Sequence, residues 1–149
     1  MRWHAHVTVA AVIEQDSRFL MIEEEAYGNT VFNQPAGHLE KGESLVDAVI
    51  REVLEETRRD FRPRHVIGIY LYPSQENDTT YLRVCFSGTV GTELLHRELD
   101  SEIIRTTWMT REQVVEQGDR LRSPLVVDCI EDYLNGARYS LDVLSHIKQ

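Results

Sequence analysis

From Ala5 to Ile13 the chain is dense in β-branched residues (Val7, Thr8, Val9, Val12, Ile13). A polar Glu14-Gln15-Asp16-Ser17 stretch then leads into Arg18 to Ile22, and the pattern predicts a β-hairpin. Gly28-Asn29 opens a loop that is punctuated by Pro35 and Gly37 and ends at Lys41-Gly42. Beyond it Leu45, Val46, Val49, Ile50 and Val53 recur at helical spacing, predicting a helix from Ser44 to about Arg58. Ser44 is its expected N-cap, Asp47 stands three residues on as a variant capping box, and Pro63 bars continuation. Strands are expected over Val66 to Leu71, Tyr81 to Val90 and Ile103 to Met109, the first two separated by the polar turn Pro73 to Asp78. In the second of these Leu82, Val84 and Phe86 alternate with Tyr81, Arg83 and Cys85, so one face is apolar and the other sets a cation beside a phenol. Arg83 either faces a cleft or lies solvated on an open sheet. Thr110-Arg111-Glu112-Gln113 begins a short helix. Ser123-Pro124 begins a longer one that Asn135-Gly136 stops, with Ser as N-cap and Pro at the first helical position. The tail from Ala137 either packs or frays. Strands and helices alternate without repeat, linker or low-complexity tract, which predicts one α/β domain over residues 1–149 with its core at about 5–135.

Composition narrows the function classes. The chain has 149 residues, 42% hydrophobic and 28% charged, enough for a single core without disulfides or a structural metal. With 25 acidic against 16 basic side chains its net charge is -9, so the surface repels nucleic-acid polymers and anionic lipid. A small phosphorylated substrate stays open, because a divalent metal and a few local cations reverse the field inside one cleft. The two cysteines, Cys85 and Cys129, form no close-spaced pair and read as small buried hydrophobes in a reducing compartment. The start, Met1-Arg2-Trp3-His4-Ala5-His6, lacks the apolar run of a signal peptide, and no segment reaches membrane-spanning length, so the cytoplasm is the expected location. His4 and His6 share one side of a strand, but two ligands do not complete a zinc site.

The helix from Ser44 carries the chemistry. Glu55 and Glu56 follow Glu52 by three and four positions, placing three carboxylates on an arc about 100° wide. Like charges at this spacing cost a few tenths of a kcal/mol per pair. They are either a solvated face or a site for a hard cation such as Mg²⁺, which takes a few carboxylates and leaves positions for water and phosphate oxygens. The tight loop from Gly37 to Gly42 brings backbone close to this helix, and Glu43 with Arg51 can form a bracing ion pair beside the acidic face.

Gly37, five residues, Glu43, seven residues and Arg51-Glu52-Val53-Leu54-Glu55-Glu56 together resemble the Nudix box, which would span about residues 37–59. Phe32-Asn33-Gln34-Pro35-Ala36-Gly37-His38-Leu39-Glu40 and Leu121-Arg122-Ser123-Pro124-Leu125 are similar to the NudJ-like group of bacterial Nudix phosphatases, and the likeness runs from about His6 to Leu141. The resemblance implies an α/β/α sandwich with a mixed sheet between helices. It implies metal ligation by Glu52, Glu55, Glu56 and the Gly37 carbonyl, with Mg²⁺ as cofactor and Mn²⁺ as a possible substitute, and bracing by Glu43 and Arg51. The water-activating base varies in this family; Glu56 or another box carboxylate is the first candidate and Glu102 the second. His38, Arg83 and Arg122 are candidates for phosphate contacts, and Tyr27, Phe32 and Tyr81 for stacking on a ring, with Gln34 beside them. The implied activity is hydrolysis of a phosphoanhydride in nucleoside tri- or diphosphates, or in a small pyrophosphorylated metabolite such as a thiamine pyrimidine precursor, releasing orthophosphate. The alternatives are an ADP-ribose-type pyrophosphatase and a nucleotide-binding module without turnover; the oligomer would be a monomer or a homodimer. One position departs from the box: Arg58 stands where glycine is usual, and Arg59 follows at a usually hydrophobic position. Glycine there suits a left-handed cap, so the expectation is a helix that runs slightly longer, with two cations at its C-terminal end.

Overall fold

The computed structural model describes residues 2–148. Its central strand is β1 (His6–Val12), which pairs antiparallel with β5 (Ala36–His38) and parallel with β7 (Thr80–Val90); β6 (Phe61–Pro73) closes this four-stranded mixed sheet beyond β7. In a second sheet β3 (Arg18–Ala26) pairs antiparallel with β2 (Glu14–Gln15), β4 (Asn29–Asn33) and β8 (Ile103–Met109). Helix α1 (Leu45–Thr57) covers one side, and α3 (Leu125–Leu134) with α2 (Arg111–Glu116) covers the other. Alternation along β1 sends Val9, Ala11 and Ile13 to the α1 side and Ala10 and Val12 to the α3 side. A strand covered on both faces reads as an unbroken apolar run, as this one does.

The expected hairpin is corrected. Its turn is real, with Asp16 and Ser17 both at positive φ between β2 and β3, but β1 itself leaves at Ile13 and pairs in the other sheet. Short-range alternation cannot tell a hairpin from a strand that changes sheets. The expected loop from Gly28 to Gly42 contains β4 and β5, each five residues or fewer, too short for a period-two signal. β6 starts at Phe61 rather than Val66; Pro63 is accommodated because the strand lies at the sheet edge and the register shifts between Pro63 and His65. The tail packs: Tyr139 bridges Val66, and Leu141 and Leu144 rest on the α1-side core. Both cysteines are buried. No helix among the described residues is long and apolar enough to cross a membrane.

At the start of α1 the Ser44 hydroxyl accepts from the Asp47 N–H at 3.0 Å, as expected of an N-cap. Its end overturns the longer-helix expectation. The helix stops at Thr57, and Arg58 takes the left-handed cap itself at φ 59°, ψ 35°. Its N–H donates to the Leu54 carbonyl, its carbonyl accepts from Leu94, and its guanidinium bonds the Arg97 carbonyl and the Glu93 carboxylate. Arg59 lies over the Trp108 ring at 5.6 Å. Arg58 therefore accepts a strained backbone and in return ties down the segment that follows β7. A Cβ in this conformation costs about 1 kcal/mol or more, so Arg58→Ala loses the tethers and keeps the strain, whereas Arg58→Gly loses only the tethers. Denaturant unfolding should therefore place Arg58→Gly above Arg58→Ala by about 1 kcal/mol; equal stabilities would mean that the left-handed cap is not held.

Candidate active site

The end of the mixed sheet that carries His38, Thr8 and Arg83 opens into a cleft of about 430 Å³, a volume suited to a nucleotide-sized ligand. One wall is acidic. Glu52 and Glu56, one helical turn apart on α1, are both buried, at 9% and 6% exposure, and both line the cleft. Glu52 lies directly against Gly37, where a side-chain carbon would overlap its carboxyl group. Gly37 is thus required for room rather than for turning. It sits in β5 opposite Val9, and the alternation of bonded pairs directs its carbonyl at Val9, leaving one lone pair over. Glu56 accepts from the Ala36 N–H at 2.8 Å.

Arg51 organises the acids from the rim. Nε and Nη2 grip Glu43 at 3.0 and 2.7 Å, Nη1 reaches Glu52 and Glu55 at 2.7 Å each, and Nη2 also donates to the His38 carbonyl. That contact holds the Glu43 carboxyl below its ordinary range, mainly through the Arg51 hydrogen bonds. Glu52 behaves oppositely, rising to about 7, because burial outweighs Arg51 and the charges of Glu55 and Asp100 add to it. Burial, then the neighbouring Glu52, pushes Glu56 well above the carboxylate range. Asp100 rises through burial, then Glu55 and Glu102. Buried acids short of positive charge bind a hard cation well, and the donors are all oxygen. Among the described residues no three carboxylates already converge as a ready-made cage. Glu55 is drawn to Arg51 and does not line the cleft.

Not every expected contact reaches the cleft. Phe32 is 1% exposed and packs in the α3-side core with Arg105 and Arg120 over its ring, so it cannot stack on a ligand; its neighbour Asn33 takes the cleft-facing position in β4. Gln34, 1% exposed, lies behind the lining, donating to the Val126 carbonyl at 2.6 Å and accepting from Arg83 at 3.2 Å. Glu43 and Arg51 also stand off the lining. The remaining candidates, Tyr27, His38, Tyr81, Arg83, Glu102 and Arg122, line the cleft. Arg122 pairs with the buried Glu24 at 2.9 Å and covers the Tyr27 ring. The Tyr27 hydroxyl accepts from Asn77 at 2.7 Å, joining the β3–β4 turn to the β6–β7 turn across the cleft mouth. His38 packs edge-on to His6 and Tyr81, and burial, then His6 and Arg122, lower its pKa.

Glu24, Asn33 and Asp100 were not foreseen. For Glu24 a signal existed: the alternation Leu20, Ile22 continues to it once β3 runs past Ile22. For Asp100 there was none, since it reaches the cleft through a loop whose N–H donates to the Glu55 carbonyl at the end of α1.

Comparison with known proteins places the whole fold in a family. The sequence matches the NUDIX domain over residues 3–128. The phosphatase NudJ of Escherichia coli (strain K12) is 38% identical over 139 residues, covering 93% of this chain and 90% of its own length. Among solved structures a NUDIX hydrolase from Nitrosomonas europaea superposes with a TM-score of 0.94 at 48% identity, covering 97% of this chain and 98% of that one. An ADP-ribose pyrophosphatase from Streptococcus suis shares the fold alone, with a TM-score of 0.68 at 16% identity over 92% of this chain and 97% of that one. The box helix, the loop strand that packs on it and the sheets around them therefore have relatives over nearly their whole length, and the chain belongs to the NUDIX family as a Nudix phosphohydrolase.

Proposed function

We propose that this enzyme hydrolyses a phosphoanhydride bond in nucleoside tri- or diphosphates or in a small pyrophosphorylated metabolite, releasing orthophosphate, with Mg²⁺ as its cofactor. The observation that carries the reading is the pair of buried carboxylates, Glu52 and Glu56, facing the cleft with one guanidinium beside them. Similarity to the phosphatase NudJ supports the choice of product. Glu52, Glu56 and the free lone pair of Gly37 would hold the metal, joined by Glu55 on release from Arg51. When bound, Mg²⁺ supplies charge neutralisation at the phosphate and a more acidic water, a contribution of several kcal/mol. Glu56 is the first choice to take the proton from the attacking water, as the most deeply buried of the box carboxylates that line the cleft, acting through a carboxylate oxygen that the metal leaves free. Glu102 on the loop wall is the second. Tyr27, Tyr81, His38 and Arg122 would hold the rest of the substrate at the mouth.

Phosphorus NMR of the protein with Mg²⁺ and ATP, ADP, ADP-ribose or a thiamine-type pyrophosphate is the direct test. Orthophosphate from the tri- and diphosphates is the expected product, with Glu56→Gln slower by at least about 100-fold. Two monophosphates from ADP-ribose, with no orthophosphate from the others, would replace this reading by a pyrophosphatase. Gly37→Ala displaces the Glu52 carboxyl and should lower kcat by about tenfold or more in a folded protein; unaltered kinetics would remove Glu52 from the metal set.

Acidity gives a further expectation. Glu52 has a folded pKa of about 7 against an ordinary value of 4.5, so its contribution to stability is fully present below about pH 4.5 and lost as pH rises through 7. One such group accounts for a loss of about 3 kcal/mol at most. The chelator-treated protein should therefore lose thermal stability between about pH 5 and pH 8, and Mg²⁺ should raise Tm at the upper end far more than at the lower. A Mg²⁺ effect independent of pH would count against these acids as ligands.

A further inference from the structure

Arg83 is a buried cation without an anion. The residue is 5% exposed, yet it enters no ion pair with a carboxylate among the described residues. Nη1 donates to Gln34 Oε1 at 3.2 Å and reaches Cys129 Sγ at 3.8 Å. Nε is buried with no partner, and Nη2 makes no hydrogen bond to a described residue. The Gln34 amide is neutral and already engaged with the Val126 carbonyl, and Cys129, whose thiol is lowered to about 7 first by Cys85 and then by Arg83, meets the guanidinium only at 3.8 Å through a weakly accepting sulfur. Removing a cation from water without pairing it costs several kcal/mol, so the arrangement calls for negative charge from outside the chain.

Its place in the sheet says where that charge would come from. His38, Thr8 and Arg83 stand opposite one another on β5, β1 and β7, forming one row on the floor of the cleft. The next row outward is His6, Tyr81 and Tyr72, so Arg83 lies about 7 Å inward of the tyrosines, two residues along the strand. Above it begins α3, whose first residue Leu125 and the preceding Ser123 line the same cleft and whose Cys129 touches the guanidinium. The positive end of that ten-residue helix and the free edge of Arg83 meet in one space. The facing wall, with Glu24, Glu52, Glu56, Asp100 and Glu102, carries the opposite sign.

We propose that Arg83, beneath the N-terminus of α3, is a receptor for phosphate oxygens of the substrate that the α1 carboxylates and their metal do not hold. The inference deepens the hydrolase reading above and rests on it for the identity of the anion. It assigns the cleft two polar ends, one for the phosphate attacked and one for the phosphate retained. Substrates with a second charged phosphate are therefore selected over those whose leaving group is uncharged. Of the guanidinium's nitrogens Nη1 is held by Gln34 and Nε is enclosed, so Nη2 is the donor left for a phosphate, oriented by the planar fork where an ammonium would present a point charge.

Calorimetric titration of inorganic phosphate into chelator-treated protein isolates this end of the cleft from the metal. Wild type should bind, Arg83→Gln and Arg83→Met should weaken binding by about 10- to 100-fold, and Arg83→Lys should fall between. Glu56→Gln, which alters only the acidic wall, should bind at least as tightly as wild type. In turnover the Arg83→Gln loss should appear mainly in KM. Equal phosphate affinity in wild type and in a folded Arg83→Gln or Arg83→Lys protein overturns the assignment and leaves Arg83 a structural residue. Phosphate binding through Arg83 in an enzyme that hydrolyses none of the anhydrides would sink the hydrolase reading and keep this one. Turnover with phosphate binding indifferent to residue 83 does the reverse.

Discussion

The guanidinium of Arg51 is the contact on which the site depends. It reaches Glu43, Glu52, Glu55 and the His38 carbonyl from one position on α1, so it fixes the loop before the helix and the helix's acidic face with the same group. One positive charge cannot balance the acids gathered there: Glu52 rises to about 7 although Arg51 bonds it, and Glu56 and Asp100 are pushed upward by burial and by their neighbours. The fold thus holds a deficit of positive charge at one wall, which the proposed divalent cation would offset. Replacing Arg51 with lysine would keep a charge but lose the fork that grips Glu43 with two nitrogens.

Around this hub the two sheets divide the work. The mixed sheet supplies a floor whose rows are set by strand register, so that His38, Thr8 and Arg83 come together from three separated stretches of sequence. The antiparallel sheet supplies Glu24 and Asn33, and the loop after β7 supplies Asp100 and Glu102. Arg58 belongs to this arrangement although it lies off the lining. Its left-handed cap and its bonds to Glu93, Leu94 and Arg97 lead the loop back toward the end of α1, where the Glu55 carbonyl receives Asp100.

What could be read from the chain follows the range of the interactions concerned. The α1 helix, its Ser44 cap and the clustering of Glu52, Glu55 and Glu56 are set by contacts within a few residues and were legible. So was the pairing of Glu43 with Arg51, eight positions apart and carried by the box spacing. Arg83 was legible as an alternation but not as a buried group, because burial depends on α3, more than forty residues later. Phe32 and Gln34 were misplaced for the same reason: only the register of β4 and the position of α3 decide which of Phe32, Asn33 and Gln34 meets solvent. The change of sheet at Ile13 and the short strands β4 and β5 have no local signature, since β1 reads as a buried strand whichever partner it takes. Arg58 shows the limit of propensity: the usual penalty for a Cβ at positive φ is real, but tertiary bonds to a distant loop outweigh it.

The crossing at Ile13 has a mechanical side. The chain passes between the two sheets three times, at Val12–Glu14, at Asn33–Ala36 and through the loop from Val90 to Ile103; the first two passages lie at the inner end, where Ala11 bonds the Pro35 carbonyl and Leu20 bonds the Ile13 carbonyl. At the outer end the turns are joined by side chains alone, through the hydrogen bond from Asn77 to Tyr27. The walls are thus built like tweezers, fastened at the back and lightly latched in front. Opening the latch forfeits one solvent-exposed hydrogen bond, about 1 kcal/mol, whereas parting the back would break strand pairing in both sheets. A change in the width of the mouth would then be a small rotation about residues 13 and 35, and it would leave intact the contacts of Arg51 with Glu43, Glu52, Glu55 and the His38 carbonyl, because α1, its loop and β5 lie together on one side of that hinge.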